Sequence, residues 1–167
     1  SATNGAPRDW LKRFNDELVV DPLTHHVWNF ERTAALGRTW TRPEKTTHTV
    51  TGTNYQSLTF TPYGNDLVFA LARRVITEER LGGAGPNERK SPLVADVLAI
   101  NLSSNDYVGH ERGPDSAEML DITLRTDAQI SALINWLAEQ GLWSRTLFIV
   151  TSDHGVSPLP LQMKDEA

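Results

Sequence analysis

The sequence predicts an α/β fold, and three observations carry that prediction. Residues 94–102 and 146–151 are short apolar runs bounded by turn residues, the pattern of strands buried on both faces. Between them runs a long apolar stripe at helical spacing. Strand, helix, strand over about residues 94–151 is a βαβ unit, whose strands are parallel and joined by a right-handed crossover. The length of 167 residues is enough for one core that buries roughly 68–70% of the unfolded surface.

Along the chain, Trp10, Leu11, Phe14 and Leu18 follow Pro7, Arg8 and Asp9 at spacings of three and four, which predicts a short amphipathic helix with Trp10 and Phe14 inward. Residues 21–59 have the weakest pattern. Their Asp21-Pro22, Arg42-Pro43 and the β-branched alternation from Thr46 to Thr51 predict a loop and an edge hairpin. Next, Thr61, Pro62, Tyr63, Gly64 and Asn65 punctuate the chain, with Asn65 as the predicted N-cap. Leu67, Val68, Leu71, Ala72, Val75 and Ile76 then mark a helix that Gly82 and Gly83 stop. Residues 82–92 read as an exposed loop. Asp115 is the predicted N-cap of the long helix, with Glu118 in the capping-box position; Leu120, Leu124, Ile130, Leu133, Ile134 and Leu137 form its stripe and Gly141 ends it. No internal repeat is present. The organisation expected is an N-terminal segment, 1–59, followed by an α/β segment, 60–167, that bears the chemistry.

Composition narrows the partners. Lys and Arg number 16 against 21 Asp and Glu, a formal charge of −5 with both signs dispersed, which argues against nucleic acid or an anionic membrane surface. A phosphorylated substrate stays open, because a bound metal ion can supply the positive charge. With no cysteine, disulfides, thiolate catalysis and Cys-built zinc sites are excluded, so any metal must be held by His and carboxylates. No window approaches the roughly 20 apolar residues of a membrane span, and the polar start at Ser1 does not resemble a signal peptide. A first residue other than Met leads us to expect a processed product or a piece of a longer chain.

In open α/β sheets, ligands bind beyond the carboxyl ends of the strands. Past the first predicted strand lie Asp106 and His110; past the second lie Asp153 and His154. Each strand end thus delivers one carboxylate and one imidazole to the same rim. Four oxygen and nitrogen donors without sulfur suit zinc or manganese, and the split into two pairs suits part of a two-metal site with ions roughly 3.5–4 Å apart. Gly109 and Gly155, beside the two imidazoles, would permit tight turns and close backbone approach. An isolated Asp-His dipeptide is ordinarily solvated surface; the weight comes from two such pairs flanking one βαβ unit. His25, His26 and His48 lie in the weakly patterned stretch and read as ordinary exposed or hydrogen-bonded histidines.

The run from Ser103 through Asp106, Tyr107, Gly109, His110, Gly113, Pro114, Ser116 and Glu118, followed by Asp153, His154 and Gly155, resembles the alkaline phosphatase superfamily. Within it, the match is similar to the type I phosphodiesterase/nucleotide pyrophosphatase-related branch, which includes alkaline phosphatases with a threonine nucleophile. Phe60, Thr61, Pro62, Tyr63, Gly64 and Asn65 add to the likeness, which is strong over about residues 60–160 and weak before them.

The resemblance implies an α/β/α sandwich with a mainly parallel sheet, and two divalent ions, zinc foremost. Asp106 and His110 would ligate one, serving the leaving-group and water side. Asp153 and His154 would ligate the other, serving the nucleophile side. The activity implied is hydrolysis of a small phosphorylated substrate through a phosphoenzyme, in an exported, for example periplasmic, protein. The family's nucleophile, its Lys-x-Arg phosphate clamp, an earlier Asp ligand and a later His ligand have no match in this sequence. The ligand set is therefore incomplete, the nucleophile is expected upstream, and the chain reads as a fragment, inactive alone and prone to self-association. Phosphodiesterase, sulfatase-like and phosphomutase activities of the same superfamily remain open, as does a non-catalytic metal-binding α/β module.

Overall fold

The computed structural model describes residues 8–17, 27–29, 47–49, 55–83 and 95–157. Four helices dominate them: α1 (Asp9–Glu17), α2 (Pro62–Glu78), α3 (Ser103–Arg112) and α4 (Ala117–Glu139). Single 3₁₀ segments precede α2 (Tyr55–Phe60) and follow α4 (Trp143–Arg145). Two three-residue strands, β1 (Val27–Asn29) and β2 (Thr47–Thr49), pair antiparallel with Trp28 opposite His48.

Among the described residues the predicted parallel sheet is not formed, which corrects the α/β expectation, the βαβ unit over 94–151 and the α/β/α sandwich that the resemblance implied. Among the described residues the β1–β2 pair is the only ladder. Residues 95–102 and 146–151 have no strand partner, and Val97, Leu147, Ile149 and Val150 are 87%, 85%, 73% and 68% exposed. The physical reason lies in what an apolar run encodes. It specifies what favours burial, but a strand also needs a neighbour for its N–H and C=O groups. Here Ile100, Leu102 and Phe148 rest against the helices, while the residues between them face outward.

The core is built by helix packing. Phe69 and Ile76 of α2 meet Leu133 and Leu137 of α4 and Leu142 beyond it, ringed by Leu81, Ile130 and Trp136. A second cluster joins Val108 of α3, Ile122 of α4 and Trp28 of β1, with Tyr63 and Met119 alongside. Each such side chain taken out of water contributes roughly 1.5–3 kcal/mol. The Trp28 indole N–H donates to Asp121 Oδ2 at 2.6 Å, and Arg125 Nε reaches the same oxygen at 2.6 Å. That carboxylate is fully buried, so the two donors are what make its burial tolerable. Helix α1 docks on α2 through buried Phe14, whose ring lies 5.9 Å from the Arg74 guanidinium, and through the Trp10 N–H to Glu79 Oε1 at 2.7 Å. The surrounding Arg74–Glu17 and Arg8–Glu79 pairs are exposed and contribute little.

Helix ends follow local chemistry, with two shifts from the predicted caps. Helix α2 starts earlier, with Thr61 as N-cap and Pro62 in the first turn; Asn65 is inside the helix and 2% exposed. Helix α4 is capped by Ser116, not Asp115, the Ser116 hydroxyl accepting the Met119 N–H at 3.1 Å. Its C-terminus closes as the sequence implies: Gly141 sits at φ +68°, its N–H bonds to the Ala138 carbonyl at 2.9 Å, and the Leu142 N–H to that of Leu137 at 2.8 Å.

Candidate metal rim

Asp106 and His110 lie one helical turn apart in α3, not in a loop, so both project from the same face. The opposite face is held by buried Ser104 and Val108, which fixes the helix rotation. Asp153 and His154 come from the irregular segment after residue 151, brought to α3 by the return of the chain along α4.

The four residues come together. His110 Nε2 stands 3.2 Å and His154 Nε2 3.5 Å from the same oxygen, Asp106 Oδ1; His154 Nε2 is also 3.6 Å from Asp153 Oδ2. Asp106 Oδ1 is buried and accepts no hydrogen bond. The imidazoles and Asp153 are solvent-accessible, with side-chain exposures of 69% for His110, 50% for His154 and 87% for Asp153.

His154 is oriented by its other nitrogen. Nδ1 is 2.9 Å from the Gly155 carbonyl; as the donor in that bond in the neutral ring, it leaves Nε2, 3.5 Å from Asp106 Oδ1, as the nitrogen able to take a metal. In the absence of metal, the Gly155 carbonyl, then the Asp153 carboxylate and more weakly Asp106, hold the ring protonated above its ordinary pKa, against a smaller desolvation effect. Asp153 Oδ1 accepts the His154 backbone N–H at 3.0 Å and Ser152 Oγ donates to the His154 carbonyl, so the dipeptide is locally braced.

Zinc–oxygen and zinc–nitrogen bonds of about 2.0–2.2 Å put two tetrahedral ligands roughly 3.3–3.5 Å apart. The Asp106–His110 and Asp106–His154 separations of 3.2 and 3.5 Å match that spacing pair by pair. Among the described residues, however, no group of three or more His, Asp or Glu side chains is arranged around a metal position. The donors fit a divalent ion in kind and in pairs, with Asp106 shared between the two imidazoles, rather than as a closed cage.

Two features escaped the sequence reading. Behind Asp106, Asn65 Nδ2 donates to Asn105 Oδ1 at 2.8 Å and to Thr126 Oγ1 at 3.1 Å, tying α2, α3 and α4 together next to the rim. A polar residue on the apolar stripe of α2 was the available signal. Gly109 is helical and does not form a turn, and Val156 lies against it.

The helical frame and its Asp/His rim do not by themselves define a class of protein; comparison with known proteins does, and it points to a family of hydrolases. The chain belongs to the type I phosphodiesterase/nucleotide pyrophosphatase family, whose profile matches residues 2–166, within the alkaline phosphatase superfamily. It is 32% identical to a protein named calcium-transporting ATPase from Myroides odoratus, over 94% of this chain and 31% of that one. It is 29% identical to alkaline phosphatase PhoV of Synechococcus elongatus, over 90% of this chain and 29% of that one. The crystal structure of alkaline phosphatase PafA superposes with a TM-score of 0.63 at 27% identity, covering 83% of this chain and 28% of PafA. The chain thus spans about three-tenths of the length of these relatives. Among the described residues, no helix is long and apolar enough to cross a membrane.

Proposed function

We propose that this chain carries the Asp/His rim of a metal-dependent phosphoric ester hydrolase, acting on small phosphomonoesters. The observation that carries the reading is Asp106 Oδ1, buried, free of hydrogen bonds and flanked by two imidazole Nε2 atoms. Divalent ions held by Asp106, His110, Asp153 and His154, zinc foremost, would supply Lewis acidity and the positive charge that the net charge of −5 lacks. Asp106 contributes the anionic anchor, His110 presents its nitrogen from the same helix face, and His154 brings the second segment to that anchor with its tautomer set by Gly155. Phosphoryl transfer would pass through a Thr or Ser nucleophile and a Lys-x-Arg clamp supplied from outside this chain, so we expect the 167 residues alone to turn over negligibly. The named relatives that are alkaline phosphatases support the monoesterase reading. The family's description as a phosphodiesterase favours diester hydrolysis as the second reading. An exported location is part of the proposal and rests on the family resemblance alone.

The test is zinc binding and turnover in the intact protein with p-nitrophenyl phosphate and bis(p-nitrophenyl) phosphate side by side. Asp106→Asn keeps the shape but removes the anionic donor, and we expect it to lower zinc affinity and turnover by more than the 10–100-fold typical of outer-sphere changes. Preference for the diester would select the second reading. Enzyme-like turnover by residues 1–167 alone, lost on Asp153→Ala, would refute the dependence on a nucleophile from outside this chain.

A further inference from the structure

Gly109 has no conformational reason to be glycine. Its φ lies outside the left-handed region, it sits inside α3, and helix propensity alone favours alanine there. What sets the position apart is the space beside it. A Cβ at position 109 would stand 3.1 and 3.4 Å from the two γ-methyls of Val156 and 3.5 Å from Met119 Sδ. Val156 is partly buried, whereas Asp153, His154 and Gly155 before it are exposed, with His154 Nε2 standing 3.5 Å from Asp106 Oδ1 of α3. Residues 151–157 carry no ladder or helix that could hold them in place.

We propose that Gly109 and Val156 form a keyed contact that sets the distance between the two halves of the rim: the missing side chain on α3 is the recess, and Val156 is the projection that seats the Asp153–His154 segment over Asp106. Both are positioning residues and neither offers a donor atom. Gly109 is adjacent to His110 and three residues from Asp106, and Val156 follows His154 by two, so a displacement of a few tenths of an ångström at the contact is passed directly to the 3.5 Å separation of His154 Nε2 and Asp106 Oδ1. The inference rests on the metal reading above, and deepens it by naming what aligns the two donor pairs.

A size swap tests it in the intact protein, by titration with zinc alone and by NMR. Gly109→Ala should weaken zinc binding about tenfold, in the range of outer-sphere changes, while helix content and thermal midpoint hold. Val156→Ala placed in the same chain should restore the affinity, because it removes the methyls that the added Cβ meets. Unchanged zinc affinity in Gly109→Ala, or failure of Val156→Ala to rescue it, would overturn the proposal. Absence of zinc binding in the unaltered protein would overturn the metal reading. The packing is then decided separately by the nuclear Overhauser contact between the Val156 methyls and the Gly109 α-protons, whose absence overturns the keyed contact as well.

Discussion

Asp106 Oδ1 shows how one atom can organise a rim. Two imidazole nitrogens lie within 3.5 Å of it, yet it accepts no hydrogen bond, an arrangement that favours any cation able to sit between donors. Protons compete for the same nitrogens. For His154 the sign is set by a raised pKa: the stabilisation from its charged form is complete below the ordinary value near about 6.5 and is lost as pH rises through the folded value. Following the His154 ring by NMR without metal should therefore give a midpoint above that of a free imidazole. Zinc affinity should rise with pH across the same interval, because binding displaces the proton. A His154 midpoint at or below the free value would contradict the Gly155 and Asp153 contacts. Asp106, His110, Asp153 and His154 could be singled out in the sequence as candidates because residue type and spacing carry chemistry, and the structure brings them near one another. Asn105 and Val156 were not, since their roles depend on which elements the fold brings beside them.

At the level of elements, the helices were readable because an apolar face at a period of 3.6 both predicts the helix and names its buried side. Leu133 and Leu137 are buried as the stripe requires. The end of α4 was equally plain: Gly141 adopts φ +68° and a Cβ there would touch nothing within 4 Å. Gly141→Ala isolates the backbone cost, and thermal or urea unfolding should show a loss of about 1–2 kcal/mol. The N-caps were harder. Asp115 and Ser116 are adjacent and chemically equivalent as caps, and which one accepts from the helix depends on the turn that Gly113 makes at φ +85°. The two apolar runs were misread as paired strands because their composition is that of a strand, while pairing is decided by neighbours beyond the run itself.

For the whole molecule, those runs are the main liability. Val97, Leu147, Ile149 and Val150 leave apolar surface exposed beside backbone without ladder partners, which is a template for association with another copy. We therefore expect residues 1–167 to self-associate at micromolar concentration in sedimentation or light scattering. Ile149→Lys should shift the population toward monomer, and an unaltered chain that stays monomeric would remove the idea.

The bond from Trp28 to Asp121 joins residues 93 positions apart, and from that separation we expect an order of assembly. The ends of so long a segment meet only after loop-closure entropy has been met by contacts formed elsewhere, whereas α3 and α4 are neighbours in sequence and can associate early. On that expectation the tether to β1 acts as a late latch on a helical frame formed before it. Trp28→Phe should accordingly speed unfolding several-fold in stopped-flow experiments and leave the refolding rate nearly unchanged. An equal effect on both limbs would place the latch in the folding nucleus instead.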